Sequence, residues 1–216
     1  MKPLADCRLY TFVDTAYLNG RAPESVARQL CDGGSDLIQL RAKTSSRDEI
    51  REMAEAIIGV TRQAGAGLVI NDYPGIAREI GAEFCHLGQE DFFDAGFAEV
   101  SQLEVKNARS SGVKTGLSSH SVEQAARAVN AGADYIAVGP VYATATKPGR
   151  KAVTLEYVRW AARNVKVPWF AIGGINLKNV DDVLAAGARR ICVVSAILNE
   201  PDAAKACREF RERLGD

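Results

Sequence analysis

Neither charge sign is in excess in this 216-residue chain, where 27 Lys and Arg balance 27 Asp and Glu. A neutral chain exerts no global pull on nucleic acid or on an anionic membrane, so neither is an expected partner. No apolar run approaches the ~18 residues that a membrane span needs. The opening Met1-Lys2-Pro3-Leu4-Ala5-Asp6-Cys7 breaks apolar character too early for a secretory signal. Five cysteines (Cys7, Cys31, Cys85, Cys192, Cys207) form no Cys-x-x-Cys pair. That pattern suits reduced thiols in the cytoplasm better than a disulfide framework. His86 and His120 lack Cys or His partners at zinc-ligand spacing. No Pro/Gly/Ser-rich linker or charge block divides the chain, so one domain over residues 1–216 is expected. Hydrophobic content of 47% and charged content of 25% are ordinary globular values.

Short apolar runs alternate with longer stretches of helical spacing. Candidate strands are residues 9–13, 37–40, 68–71, 84–87, 114–117, 135–138, 169–172 and 191–194. They are mostly apolar without strict alternation, as strands buried on both faces of a parallel sheet read. Helix starts are signalled at Pro23-Glu24, Ser45, Ser121 with Glu123, and Asn176, and a last helix near Pro201. A fourth helix over residues 95–111 lacks a clear apolar stripe. Gly33, Gly81, Gly132 and Gly187 each follow a helical stretch and precede a strand, 48, 51 and 55 residues apart. Each reads as a left-handed helix C-cap, and the spacing as two strand–helix units repeated four times. Four such quarters predict an α/β fold, a (β/α)8 TIM barrel, over an open doubly wound sheet.

In such a barrel the chemistry collects at the C-terminal ends of the strands. Those ends carry Asp14; Gln39, Arg41 and Lys43; Asn71 and Asp72; His86 to Asp91; Ser118 to His120; the 139–149 loop; Gly173-Gly174; and Ser195. Arg41, Lys43 and Lys147 suggest a polyanionic ligand; the alternative is that they pair with Asp72, Glu90 or Asp91 and close the rim. Asp72 and Asp91, with water and phosphate oxygens, would hold Mg²⁺ beside a diphosphate. Asp72, before Tyr73-Pro74, also reads as a helix N-cap. Gly173-Gly174 and Val194-Ser195 fit a second phosphate site, with glycine where backbone approaches an anion. No nucleophilic triad is legible. Cys85 and Cys192 read as core residues.

These motifs resemble the thiamine phosphate synthase family over almost the whole chain. The resemblance rests on Gln39-Leu40-Arg41-Ala42-Lys43, Ile70-Asn71-Asp72, His86-Leu87-Gly88-Gln89-Glu90-Asp91, Gly116-Leu117-Ser118-Ser119-His120, Thr144-Ala145-Thr146-Lys147-Pro148 and Ala171-Ile172-Gly173-Gly174-Ile175 in that order. It implies joining of 4-amino-2-methyl-5-hydroxymethylpyrimidine diphosphate to 4-methyl-5-(2-phosphooxyethyl)thiazole by a dissociative, Mg²⁺-assisted route. Thiamine phosphate and pyrophosphate are the implied products. By the same resemblance Gln39, Arg41, Lys43, Asn71, Ser118 and Lys147 contact the pyrimidine diphosphate, with Arg41, Lys43, Ser118 and Lys147 as the catalytic set. Asp72 and Asp91 would be the Mg²⁺ ligands. Thr144, Ala145, Thr146, Gly174, Val194 and Ser195 would hold the thiazole phosphate. Two positions depart from the family pattern: Ala143 stands for a common proline, and Thr154 for a frequent glycine.

Three rival readings share the barrel. A thiazole tautomerase-like enzyme would use His120 as its proton carrier, but needs no diphosphate site. A sugar-phosphate isomerase or epimerase wants a carboxylate or Cys/Asp pair for proton transfer, which is not found. A non-catalytic barrel binding thiamine precursors would not need the metal ligands. The sequence assigns no oligomeric state; a homodimer is suggested by the resemblance alone.

Overall fold

The computed structural model describes residues 1–103, 112–144 and 152–215. Eight strands close into one barrel: β1 (Leu9–Asp14), β2 (Leu37–Arg41), β3 (Gly67–Asn71), β4 (Phe84–Leu87), β5 (Lys114–Ser119), β6 (Tyr135–Val138), β7 (Trp169–Ile172) and β8 (Ile191–Cys192). Every neighbouring pair is parallel, and β8 pairs back onto β1 through Leu9↔Ile191 and Tyr10↔Cys192. Closure leaves none of these eight strands with an unpaired edge. The strands lie between helices and barrel interior, which is why their apolar runs do not alternate.

Helices α1 (Pro23–Asp32), α2 (Arg47–Ala64), α3 (Pro74–Ile80), α4 (Val122–Asn130), α5 (Thr154–Asn164), α6 (Val180–Ala185), α7 (Ser195–Leu198) and α8 (Ala203–Leu214) surround the strands. Proline at the first helical position opens α1 and α3. Ser46, one residue beyond the expected Ser45, caps α2 and forms a reciprocal capping box with Glu49. Ser121 caps α4 by accepting from Gln124 N at 3.2 Å. The expected start at Asn176 is displaced. Asn176 folds into a turn, accepting from Lys178 N at 2.9 Å, and α6 opens at Val180. The last helix follows Asp202, whose carboxylate accepts from Lys205 N at 2.8 Å.

The fourth unit departs from expectation. Of the helix expected over 95–111, the described residues 95–103 form only a 3₁₀ turn at Val100–Leu103, preceded by a π-turn at Glu90–Asp94; residues 104–111 lie outside the described ones. Without an apolar stripe, a helix has no face to bury against the barrel, and helix propensity alone is weak.

The recurrent glycines need one correction. Gly81, Gly132 and Gly187 take positive φ as predicted, but after α1 it is Gly34 (φ 84°) that does so. Gly33 lies in ordinary helical space, where a Cβ would meet Cys207 Cβ at 2.4 Å. It is therefore required by the packing of α1 against α8.

At the N-terminal end of the barrel, Asp36 is a buried clamp. It accepts from Arg8 N at 2.7 Å, Leu9 N at 3.0 Å, Lys2 Nζ at 2.9 Å and Arg211 Nη1 at 2.8 Å. Burial alone would raise its carboxyl, but these four donors outweigh burial and hold it below the usual value. All five cysteines are free thiols, and burial pushes Cys7 and Cys31 up to about 11 and Cys207 to about 12.

Candidate active site

Side chains two apart on a strand share a face, and in a closed barrel one face looks inward. Deep inside, Tyr10, Tyr135, Phe84 and Phe170 pack edge to face, with ring centroids 5.3–6.2 Å apart. This layer needs Gly116, which stands in register with Tyr135; a Cβ there would lie 2.1 Å from the tyrosine ring. Above the aromatic layer the interior opens into a cleft at the C-terminal ends of the strands.

One cleft gathers the sequence-predicted residues from seven strand ends. Gln39, Arg41 and Lys43 come from β2; Asn71 and Asp72 from β3; Asp91 from the turn after β4; Ser118 from β5. Thr144, Gly174, Val194 and Ser195 line it from the loops after β6, β7 and β8. Ala145, Thr146 and Lys147 lie outside the described residues.

Of the three cations, Arg41 and Lys43 line the cleft and both are paired there, Lys43 with the expected Asp72 and Asp91 and Arg41 with Asp14 instead. Arg41 Nη1 donates to Asp14 Oδ2 at 2.8 Å, and the two residues are in register across β1 and β2. Lys43 hydrogen-bonds Asp72 and stands 3.7 Å from Asp91 Oδ2. Burial opposes the charge on Lys43, but the Asp72 hydrogen bond and the two carboxylates together raise its pKa. Asp72 itself is raised, chiefly by burial, with Asp91 adding to the shift and Lys43 opposing it.

Asp72 is not a helix cap. Its φ is +64°, the cap position of α3 belongs to Tyr73, and its carboxylate instead accepts from Lys43 and from Asn71 Nδ2 at 2.6 Å. A non-glycine residue in left-handed space, which aspartate tolerates better than most, turns the side chain into the cleft.

Among the described residues no group of three or more His, Cys, Asp or Glu converges as a metal cage. The Asp72–Asp91 pair nevertheless fits Mg²⁺, which keeps much of its hydration and takes one or two carboxylates beside phosphate oxygens. Their fields already converge on one cation, the Lys43 ammonium.

The glycine pair after β7 has a reason beyond anion approach. Gly173 (φ 104°) and Gly174 (φ 65°) both need left-handed space. A Cβ would meet Pro140 Cα at 2.4 Å in one case and Tyr142 Cβ at 2.7 Å in the other. Two loops pack backbone to backbone here, and Asn179 Nδ2 holds the turn by donating to Gly174 O at 2.9 Å.

Several neighbours have no role in the synthase reading of the sequence, His120, the tautomerase candidate, among them. His86, in register with Asn71 and Gly116, places Nε2 3.0 Å from Ser118 Oγ. Gln89 Nε2 donates to Ser118 O at 2.5 Å, so the serine is held from both sides. His120 Nδ1 pairs with Gly139 O, and its N–H meets Gln124 Oε1 at 2.8 Å. Phe12, Pro140, Ile172 and Ile175 supply an apolar wall. Cys192, read as core, is buried and also borders the cleft. Period-two spacing from Asp14 is the sequence signal for Phe12, whereas His86 joins the site through its register with Asn71.

Residues 9–197 match the family described as thiamine monophosphate synthase. The chain is 46% identical over 185 residues to thiamine-phosphate synthase of Thermus thermophilus, covering 84% of each. It is 44% identical over 216 residues to that of Acidothermus cellulolyticus, covering 98% of this chain and 96% of the relative. A solved thiamine phosphate pyrophosphorylase from Pyrococcus furiosus superposes with a TM-score of 0.84 at 29% identity, covering 98% and 96%.

Proposed function

The chain belongs to the thiamine monophosphate synthase family, and from that premise we propose how its cleft performs the transfer. Its activity is that of a thiamine-phosphate synthase, a transferase that joins the pyrimidine diphosphate to the thiazole phosphate and releases pyrophosphate. The observation that carries the residue assignment is the convergence of Arg41, Lys43, Asn71, Asp72, Asp91 and Ser118 on one cleft with an apolar floor.

The reaction needs charge stabilisation on a leaving diphosphate and alignment of the acceptor, and no enzyme nucleophile. Arg41 and Lys43 bind the diphosphate oxygens, joined by Lys147 from outside the described residues. Asn71 and Ser118 donate to the same substrate, and Gln39 addresses its ring. As the diphosphate departs, these donors meet the charge that grows on its oxygens, while the ring's amino group stabilises the pyrimidine methylene cation. The thiazole nitrogen captures that cation. Thr144, Ala145, Thr146, Gly174, Val194 and Ser195 anchor the thiazole phosphate. Phe12, Ile172 and Ile175 exclude water that would otherwise quench the cation. Mg²⁺, when bound by Asp72 and Asp91, supplies further neutralisation of the diphosphate.

The proposed partners are these two small molecules, with neither nucleic acid nor membrane involved, and the proposed compartment is the cytoplasm. Five free thiols support that compartment, and among the described residues no helix is long and apolar enough to cross a membrane. The proposed assembly is a homodimer, which light scattering would read as about twice the 23.2 kDa chain mass. Incubation of the pure protein with both substrates, with and without Mg²⁺, tests the mechanism. Thiamine phosphate is expected only with the metal; formation that survives chelation unchanged would refute the metal assignment.

A further inference from the structure

Beneath the cleft, Gln39 Nε2 donates to the hydroxyl of Tyr10, whose oxygen stands 3.3 Å from that of Tyr135. All three side chains are buried, and Gln39 alone of them borders the cleft. Burial holds both phenols protonated, each pKa raised far above its ordinary value.

A phenol has one hydrogen to give. Either phenol could be the donor across the 3.3 Å contact; with a Gln39 N–H on the Tyr10 oxygen, the wiring proposed below sends the Tyr10 hydrogen to Tyr135. Donation then runs Gln39 to Tyr10 to Tyr135, away from the cleft. A primary amide has two N–H donors and a carbonyl acceptor. With one N–H consumed below, the carbonyl Oε1 and the second N–H are left for a ligand above.

We propose that Tyr10 is a positioning residue that, with Tyr135, fixes which way the Gln39 amide faces and so makes the cleft selective for an aminopyrimidine edge. That edge pairs an exocyclic N–H donor with a ring-nitrogen acceptor, the complement of what Gln39 presents. A 4-oxo ring presents the reverse pattern. A site built from buried hydrogen-bonding groups rejects a mismatched ligand because its own groups are left unpaired. The inference rests on the reading that Gln39 faces the pyrimidine.

Removing either phenol changes the wiring without removing the ring. Tyr10→Phe leaves the Gln39 N–H without its acceptor. Tyr135→Phe leaves the Tyr10 hydrogen free to donate to Oε1, which favours the flipped amide. The test is calorimetric binding of 5-hydroxymethyl-2-methylpyrimidine in its 4-amino and 4-oxo forms, with inorganic diphosphate and Mg²⁺ present. The native protein is expected to prefer the 4-amino form by at least about tenfold. Both variants are expected to reduce that ratio to below about threefold while binding inorganic diphosphate as tightly as the native protein. A purely structural role would weaken diphosphate and pyrimidine together and leave the ratio intact. A ratio retained in both variants, or no preference in the native protein, overturns the inference. Failure of the native protein to form thiamine phosphate would instead overturn the reading of the site beneath it.

Discussion

Asp14 and Arg41 stand in register on adjacent strands, and the guanidinium donates to the carboxylate at 2.8 Å. Asp14 is 1% exposed and also accepts from Ala16 N at 3.0 Å. The pair holds Arg41 aimed along the cleft before a substrate arrives, so less orientation is lost on binding. Breaking such a buried pair costs about 3–5 kcal/mol when one partner is removed. Asp14→Ala is therefore expected to lower the thermal midpoint and to raise KM for the pyrimidine diphosphate. KM for the thiazole phosphate should hold. Steady-state kinetics in both substrates checks this, and equal changes in the two constants would refute it.

The carboxylates beside Lys43 make a separate prediction. Asn tolerates the left-handed backbone of Asp72 (φ +64°) as well as Asp does, so Asp72→Asn keeps the fold while removing charge. Asp72→Asn and Asp91→Asn are each expected to reduce turnover by roughly 10²–10³-fold at fixed Mg²⁺. The Mg²⁺ concentration at half-activity should rise in both. Calorimetry with the thiazole phosphate should show unchanged affinity, and loss of that affinity in both folded variants would contradict the separation of the two subsites.

Thr154 opens α5 at φ +64°, left-handed space for a β-branched side chain. Its hydroxyl returns a little by accepting from Glu156 N at 3.3 Å. Left-handed backbone costs an L-residue about 1–2 kcal/mol, which glycine escapes. Thr154→Gly is thus expected to be more stable than Thr154→Ala by about 1 kcal/mol, or about 2–4 °C in midpoint. The order is the reverse of that at an ordinary helical position, and thermal unfolding of the two variants reads its sign directly.

Gly173 gives a steric prediction. A Cβ there would lie 2.4 Å from Pro140 Cα, on a backbone at φ 104°. Gly173→Ala should cost about 2–4 kcal/mol through clash and strain together. KM for the thiazole phosphate should also rise, because the loops after β6 and β7 must separate. A variant of native stability and native KM would show that the loops are not packed as described.

Asp36 makes stability depend on acid. Its carboxyl lies below the ordinary value of 3.8 in the folded protein, because four donors outweigh burial. The folded state therefore binds its proton less readily than the unfolded chain. Its contribution is fully present above about pH 4 and fades as pH falls further. Asp36→Asn should be less stable than the native protein at neutral pH, with the gap narrowing below pH 4. Urea unfolding at several pH values measures the gap, and a constant difference would refute the assignment.

Much of this protein was written in local pattern. Eight apolar runs, the helix signals at Pro23 and Ser121, and the recurrent glycines specify an eight-fold barrel, because burial on both faces and helix reversal each impose a residue type at a definite place. The same spacing placed Gln39, Arg41, Asn71, Asp72 and Ser118 at strand ends, where a barrel does its chemistry. What the sequence alone did not determine was pairing. Asp14 meets Arg41, His86 meets Ser118, and Tyr10 meets Gln39 only because separate strands come into register. Asp72 faces Lys43 and caps nothing because its backbone turns left-handed. Gly33 and Gly173 are glycines for what packs on them from 174 residues later and 33 earlier, at Cys207 and Pro140. Local composition records what a segment can form, whereas contacts between distant segments exist only once the chain has closed on itself.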